Sequence, residues 1–272
     1  MISVAVAGAC GRMGRSVITV LSQNKDMELV CAVESSSNPN LGKDAGEVSG
    51  LSNIGISIES SEGLKELLGE YKPDVLVDFT NAETTVENSK VAASAGVNLV
   101  IGTTGFGDSQ RKEIEKAVNH NGISAVISPN MATGVNVFFK LARDTAKILE
   151  GYEIEIIEAH HKHKKDSPSG TALRVGELVA EATGKSLENR AVYGRRGTGE
   201  RTKDEIGFHS IRAGGIVGEH TVLFAGEGER IEITHRAQSR EAFAQGALRA
   251  VRFIHGKKDG LVYTTWDVLG ID

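Results

Sequence analysis

Between residues 160 and 171 the chain reads His160-His161-Lys162-His163-Lys164-Lys165-Asp166-Ser167-Pro168-Ser169-Gly170-Thr171. Six consecutive side chains that are all His or Lys repel one another in an acidic protein unless an anion or a functional pocket uses them. Histidine titrates near neutrality, and an ammonium close to other cations releases its proton more readily, so both residue types can exchange protons at working pH. The run leads into TALRVGELVAEAT, a helix-like segment. Ser169 is therefore a candidate N-cap, and the N–H groups of Gly170 and Thr171 face outward at a helix start, where a carboxylate is stabilised. Two anion-attracting features in one short segment suit a dicarboxylate better than a monoanion. A merely solvated charge run is the other reading. No metal is expected, because the interleaved lysines repel a cation and no cysteine lies nearby.

A second constellation lies at the front. Gly8-Ala9-Cys10-Gly11-Arg12-Met13-Gly14 places glycines at three-residue intervals after an apolar run. Such glycines let the backbone turn tightly and approach a pyrophosphate, which the positive end of the following helix stabilises. Glu34, 20 residues past Gly14, ends the second apolar run, where a carboxylate can accept hydrogen bonds from ribose hydroxyls. Ser35-Ser36-Ser37 follow instead of a cation, leaving Arg12, Arg15 or Lys43 to meet any 2'-phosphate. NADH is therefore expected to serve at least as well as NADPH. Asp78-Phe79-Thr80, Gly102-Thr103-Thr104-Gly105 and Ser128-Pro129-Asn130-Met131 end further strands at the same sheet edge, beyond which ligands bind.

The elements that must position these groups follow from the periodicity. Strands are expected at 2–7, 28–33, 54–58, 74–79, 97–101 and 123–127, with helices near 12–23, 62–70, 82–95 and 108–120. That alternation implies an α/β fold, a Rossmann-like doubly wound parallel sheet. After residue 130 come a helix near 133–150, the strand GYEIEIIEAHH with two unlike faces, and strand-like runs near 206–213, 217–225 and 229–235. The links between those last three runs are short, so consecutive ones are expected to run antiparallel. A final helix near 239–256 returns to the first unit. The expected organisation is a dinucleotide-binding domain of residues 1–130 and 240–272 and a second, substrate-binding α+β domain, 131–239, with a mixed or antiparallel sheet.

Composition narrows the function classes. Lys plus Arg number 31 against 36 Asp plus Glu, so the net charge of −5 argues against nucleic-acid or anionic-membrane partners. Two cysteines, Cys10 and Cys31, make no disulfide framework and fit a reducing, cytoplasmic address. The N-terminal residues have their arginines after the apolar run, the reverse of a secretory signal, and no apolar run approaches the ~18 residues needed to span a bilayer.

The blocks VAGACGRMGR, VDFT, VIGTTGF, SPNMATGVN, EIIEAHHKHKKDSPSGTA and IGFHSIRAGGIVGEHTVLFAGEGERIEITHRA together resemble the 4-hydroxy-tetrahydrodipicolinate (dihydrodipicolinate) reductase family over essentially the full length. The resemblance implies reduction of 4-hydroxy-tetrahydrodipicolinate to tetrahydrodipicolinate by hydride transfer from NADH or NADPH, in lysine and diaminopimelate biosynthesis. It implies an acid/base role for His160 and a proton-donor role for Lys164, and places His161, Ser169, Gly170 and Thr171 around the substrate carboxylates. Cofactor contacts are implied at Gly8, Ala9, Cys10, Gly11, Arg12, Met13, Glu34, Gly102, Thr103, Thr104, Ser128, Pro129, Asn130 and Met131. Family members are typically homotetramers. Many carry Arg after the strand-end acid, where this chain has Ser35. Two alternatives are another aspartate-pathway oxidoreductase and a non-catalytic dinucleotide sensor. An aspartate-semialdehyde dehydrogenase needs a nucleophilic cysteine in its catalytic domain, and neither cysteine here lies beyond residue 31.

Overall fold

The computed structural model describes residues 1–271. They fall into two compact units, one of Met1–Thr133 with the chain from Arg240 onward, the other of Gly134–Ser239.

In the first unit, β1 (Ile2–Ala7), α1 (Arg12–Ser22), β2 (Met27–Glu34), α2 (Ala45–Val48), β3 (Ile58–Ser60), α3 (Leu64–Tyr71), β4 (Val75–Asp78), α4 (Ala82–Ser94), β5 (Asn98–Ile101), α5 (Asp108–Asn121) and β6 (Ala125–Ile127) follow in order. Strands such as VLVD and NLVI are buried along their whole length, as parallel strands covered on both faces must be. Alternate residues of each strand feed two separate cores. Val4, Val6, Val75 and Val77 pack with Val17 and Leu21 of α1. Ala5, Ala7, Leu76 and Leu99 pack on the other face with Leu64 of α3 and Ile114 of α5.

The second unit is built from α6 (Thr133–Ile148), β7 (Glu153–His160), α7 (Gly170–Ala182), β8 (Ala191–Tyr193), β9 (Ile206–Arg212), β10 (Gly218–Ala225) and β11 (Arg230–Ala237). The chain then returns to the first unit as α8 (Glu241–Ile254), β12 (Val262–Tyr263) and α9 (Thr265–Leu269). β12 joins the edge of the first sheet, whose order is β12-β6-β5-β4-β1-β2-β3 with every pairing parallel. Gly246 of α8 sits where a Cβ would lie 1.8 Å from the Met131 carbonyl, so only glycine permits that approach.

One expectation needs correction. The strand expected at 54–58 forms instead at Ile58–Ser60. The Asp44 carboxylate accepts the N–H groups of Gly46 and Glu47 as the cap of α2 and also those of Ile54 and Ile56, which bends that stretch into a loop. The second sheet runs β11-β10-β7-β9-β8, so β9 and β10 are not neighbours. β7 lies between them, parallel to β9 and antiparallel to β10. The short link through Gly214 and Gly215 reverses the chain, as expected, but also steps across a strand; two strand spacings are only about 10 Å, which a few extended residues span. β8, β12 and α9 are elements that the periodicity did not reveal.

Candidate active site

At the carboxyl edge of the first sheet, neighbouring strands lead away in opposite directions from β1 and its partners β2 and β4, the position where such sheets bind nucleotides. A cleft of about 250 Å³ opens there, lined by Gly8, Gly11, Glu34, Phe79, Thr80 and Asn88 among others. Gly8 takes a φ of +74°, and a Cβ at Gly14 would lie 2.1 Å from the Gly8 carbonyl oxygen, so the turn needs both glycines. The loop N–H groups are used internally. Gly8 and Ala9 donate to the Val33 carbonyl, Cys10 to Glu34 Oε2, and Gly11 back to the Gly8 carbonyl. Gly11 supplies no side-chain cap to α1. The donors left for a phosphate therefore belong to the first turn of α1, at Arg12 and Met13, rather than to the loop itself.

Glu34 also accepts the Ser35 N–H, so the strand-end carboxylate is pinned at both oxygens with lone pairs to spare for hydroxyl donors. Arg15 Nε donates to the Cys10 carbonyl at 2.9 Å, and Lys43 Nζ to Asn40 Oδ1 at 2.9 Å. Behind the cleft the fully buried Asp78 carboxylate accepts from Thr80, Thr85, Asn88 and Thr103, knitting together the loops after β4 and β5. Gly102 stands where a Cβ would fall 1.9 Å from the Phe79 ring. Thr104 and Pro129 are exposed on these loops, while Thr103 and Ser128 are buried. Ser128 Oγ donates to the Asn130 carbonyl. The side chains of Ala9 and Met131 are buried in the core, which leaves only their backbone to face a ligand. Glycine turn, strand-end acid and uncapped helix start together fit a dinucleotide.

In the second unit the decisive fact is the phase of β7. Its inward residues are Ile154, Ile156, Glu158 and His160, because the Ile–Glu alternation slips at Ile156-Ile157 and carries a glutamate into the buried face. Glu158 is 1% exposed. Across the sheet, Ser210 and Arg212 of β9 and Gly218 and His220 of β10 share that face. Arg212 grips Glu158 with two hydrogen bonds, Nη1 to Oε2 at 2.8 Å and Nη2 to Oε1 at 2.7 Å. The Ser169 N–H donates to Oε1 at 3.2 Å, and His160 Nδ1 lies 2.5 Å from Oε2. Burial alone would raise the Glu158 pKa; hydrogen bonds from Arg212, Ser210 and His160 overcome it and hold the carboxyl down at about 2. His160 is pulled below the usual histidine range by burial first, with Lys164 and Arg212 adding to the effect and Glu158 opposing it. His220 meets the His160 ring edge-on at 5.1 Å and is pushed down to about 3, chiefly by burial, so it is neutral.

The basic run divides accordingly. His160 is buried, His161 and Lys164 are half-buried, and Lys162, His163 and Lys165 are exposed. The loop is tied to the β9–β10 link by the Ala213 N–H on the His160 carbonyl and the Lys162 N–H on the Gly214 carbonyl. His161 Nδ1 is buried without a hydrogen-bond partner. Ser169 caps α7 by accepting the Ala172 N–H, and its Oγ lies 2.9 Å from His220 Nε2. Asp166 ion-pairs Lys164 at 2.9 Å, so a carboxylate of the chain itself meets one of the groups expected to hold an anion. His160 and Ser169 are thus gathered around one buried acid, Glu158, and Lys164 lies near enough to His160 to act on its charge. Sequence reasoning missed Glu158, Arg212 and His220. Their signal was available: each is a polar residue in the apolar phase of its strand. Among the described residues no cluster with metal-ligand composition occurs, and no helix is long and apolar enough to cross a membrane.

Comparison with known proteins gives concordant matches. The family model described as dihydrodipicolinate reductase, N-terminus, matches residues 2–131, and the one described as dihydrodipicolinate reductase, C-terminus, matches residues 134–269. A protein of Methanocaldococcus jannaschii named 4-hydroxy-tetrahydrodipicolinate reductase is 55% identical over 273 residues, covering 100% of this chain and 98% of that one. One of the same name from Methanothermobacter thermautotrophicus is 53% identical with 100% of both chains covered. Among solved structures, a dipicolinate-bound dihydrodipicolinate reductase from a Paenisporosarcina species superimposes with a TM-score of 0.77 at 27% identity, covering 98% of each chain.

Proposed function

The chain belongs to the dihydrodipicolinate reductase family, and from that premise we propose how its residues divide the work of an NAD(P)H-dependent reduction of 4-hydroxy-tetrahydrodipicolinate to tetrahydrodipicolinate. The reaction belongs to lysine and diaminopimelate biosynthesis. The substrate loses the 4-hydroxyl together with a hydrogen of the neighbouring ring carbon as water, then gains a hydride at C4 and a proton on that neighbouring carbon. The bound dinucleotide supplies the hydride.

The protein contributes position and charge. Arg12 and Met13 take the pyrophosphate where Gly8 and Gly11 let the backbone approach closely, Glu34 takes the ribose hydroxyls, and Gly102, Thr103, Thr104 and the Ser128–Met131 loop approach the nicotinamide end. Lys164, His161 and the α7 start at Gly170 and Thr171 hold the substrate carboxylates, and Ser169 holds that helix start in place. Asp166 must then give up Lys164 to the incoming anion. His160 or Lys164 delivers the proton to the carbon that hydride addition leaves electron-rich. Resting His160 is neutral and its Nδ1–H is committed to Glu158, so it must first gain a proton on Nε2 as the dianion arrives. The observation that carries this assignment is the convergence of His160, Ser169 and Arg212 on Glu158, with Lys164 beside them.

The cofactor of choice is proposed to be NADH at least equally with NADPH, on the strength of Ser35. A homotetramer is proposed because the sheet face opposite His160 presents Ile157, Ile211 and Leu223, with Ile211 48% exposed. Cytoplasmic residence is proposed from the need for reduced dinucleotide and from two unpaired cysteines. The test is a coupled assay: the cyclic substrate is generated from pyruvate and aspartate semialdehyde, and loss of NADH or NADPH absorbance is followed. Turnover dependent on all three components is expected, and none with either cofactor would defeat the reading. Light scattering of the eluted protein reads the oligomer directly.

A further inference from the structure

We propose that Glu158 is a positioning residue that fixes the working tautomer of His160 and supplies the counter-charge for its protonated form. The inference rests on the acid/base role assigned to His160.

The geometry leaves Glu158 little freedom. It is 1% exposed, its two oxygens are held in parallel by Arg212 of the neighbouring strand, and the Ser169 N–H adds a further donor. An ionised carboxylate is an acceptor only, so the hydrogen in the 2.5 Å contact belongs to His160 Nδ1. Fixing the hydrogen there leaves Nε2 as the nitrogen that gains and gives the catalytic proton. The Nε2 edge lies against Gly218, where a Cβ would approach to 3.1 Å, so the strand opposite offers no side chain to compete for it. Charged and titratable groups face the imidazole from every packed element: Glu158 on β7, Arg212 on β9, the neutral His220 on β10 and Lys164 from the loop. Glu158 is the single anion among them. Without it, a protonated His160 would stand among cations in a buried site.

A buried Arg–Glu pair can also be merely structural, and the two roles separate in a double-mutant cycle. Glu158→Gln, His160→Gln and the double variant are compared by kcat over a range of pH, with NADH binding followed by fluorescence as a check on folding. If Glu158 acts through His160, Glu158→Gln alone lowers kcat by at least about tenfold, the scale on which partners of a working histidine act. Its alkaline limb moves to lower pH, since removing the anion disfavours the imidazolium. In the His160→Gln background the same change adds less than about twofold, because coupled residues are not additive. Equal losses in both backgrounds, or an unmoved pH profile, would overturn the proposal while leaving the role of His160 intact. Normal turnover by His160→Gln would remove the role of His160 and this inference with it. Should Glu158→Gln fail to fold, ¹⁵N spectra of the unaltered protein decide. A hydrogen on His160 Nδ1 and a bare Nε2 above neutral pH are expected, and the opposite tautomer overturns the proposal.

Discussion

Ser169 Oγ accepts the Ala172 N–H at 3.2 Å while lying 2.9 Å from His220 Nε2, so one buried hydroxyl ties the start of α7 to β10. Removing it costs twice. The helix loses its cap, typically worth about 1 kcal/mol, and His220 loses the one hydrogen bond it makes, since its Nδ1 has none. Ser169→Ala is therefore expected to lower the stability of the protein by about 1–3 kcal/mol, read as a shift of the urea midpoint. The KM for the dicarboxylate should rise more than kcat falls, because the backbone donors of Gly170 and Thr171 lose their alignment. An unchanged midpoint would mean that α7 does not depend on this contact.

His160 and Lys164 are the two groups we propose to carry the transferred proton. General acid help is worth about 10²- to 10⁴-fold, so His160→Gln and Lys164→Ala are each expected to lower kcat by at least about the smaller factor. NADH affinity, measured by fluorescence titration, should stay within a few fold. Lys164→Ala should in addition weaken binding of pyridine-2,6-dicarboxylate, whereas His160→Gln should do so much less. Near-normal turnover in both variants would require another proton source.

The first unit is legible in the sequence because each parallel strand is an apolar run that ends in glycine or a small polar residue. VLVD before Phe79-Thr80 and NLVI before Gly102 mark both a core and the edge where the cleft opens. Strands as brief as Ala191–Tyr193 and Val262–Tyr263 carry no period to detect. The place of β7 between β9 and β10 is hidden for a different reason: a short link dictates reversal of direction but not adjacency. In the basic run, the cluster of charge is plain from the letters, yet which members turn inward is set by the pleat. His160 faces the core with Glu158, while Lys162 and Lys165 face water. The slip of alternation at Ile156-Ile157 could have revealed Glu158 had the phase been followed along the strand. That Asp166 would meet Lys164 could not be read from the run, where a two-residue spacing in a loop says nothing of geometry.

Stability should fall as pH falls from neutrality, in two steps of different origin. His220 is held at about 3 in the folded protein against 6.5 for the free side chain, so below pH 6.5 the unfolded chain takes up a proton that the folded chain refuses. This lowers stability progressively as pH drops through that window. Glu158, at about 2 when folded against 4.5 free, stabilises the fold above about pH 4.5, and its contribution is lost as pH falls from there toward 2. Each unit of difference corresponds to about 1.4 kcal/mol, so the two together amount to several kcal/mol. Urea midpoints measured at pH 7, 6 and 5 should decline, and His220→Phe should flatten that decline while leaving the steeper loss below pH 4.5. A variant whose slope between pH 7 and 5 matches the parent would show that His220 is not the group responsible.

Cofactor choice turns on the residue after Glu34. Glu34 is pinned by the Cys10 and Ser35 N–H groups at the end of β2, where we propose that it receives ribose hydroxyls, and a 2'-phosphate placed there would meet that carboxylate at close range. Relief would need a nearby cation. Ser35, Ser36 and Ser37 are exposed and uncharged, Arg15 is engaged with the Cys10 carbonyl, and Lys43 with Asn40. kcat/KM with NADH is therefore expected to equal or exceed that with NADPH, and a hundredfold preference for NADPH would refute the argument. Ser35→Arg supplies the absent cation on an exposed loop that tolerates its length. A charge-assisted hydrogen bond to phosphate is worth about 1.5–3 kcal/mol, so the variant should gain roughly tenfold or more in kcat/KM for NADPH. NADH should be little affected, since the Ser35 contact to Glu34 is made by the backbone N–H and survives the substitution.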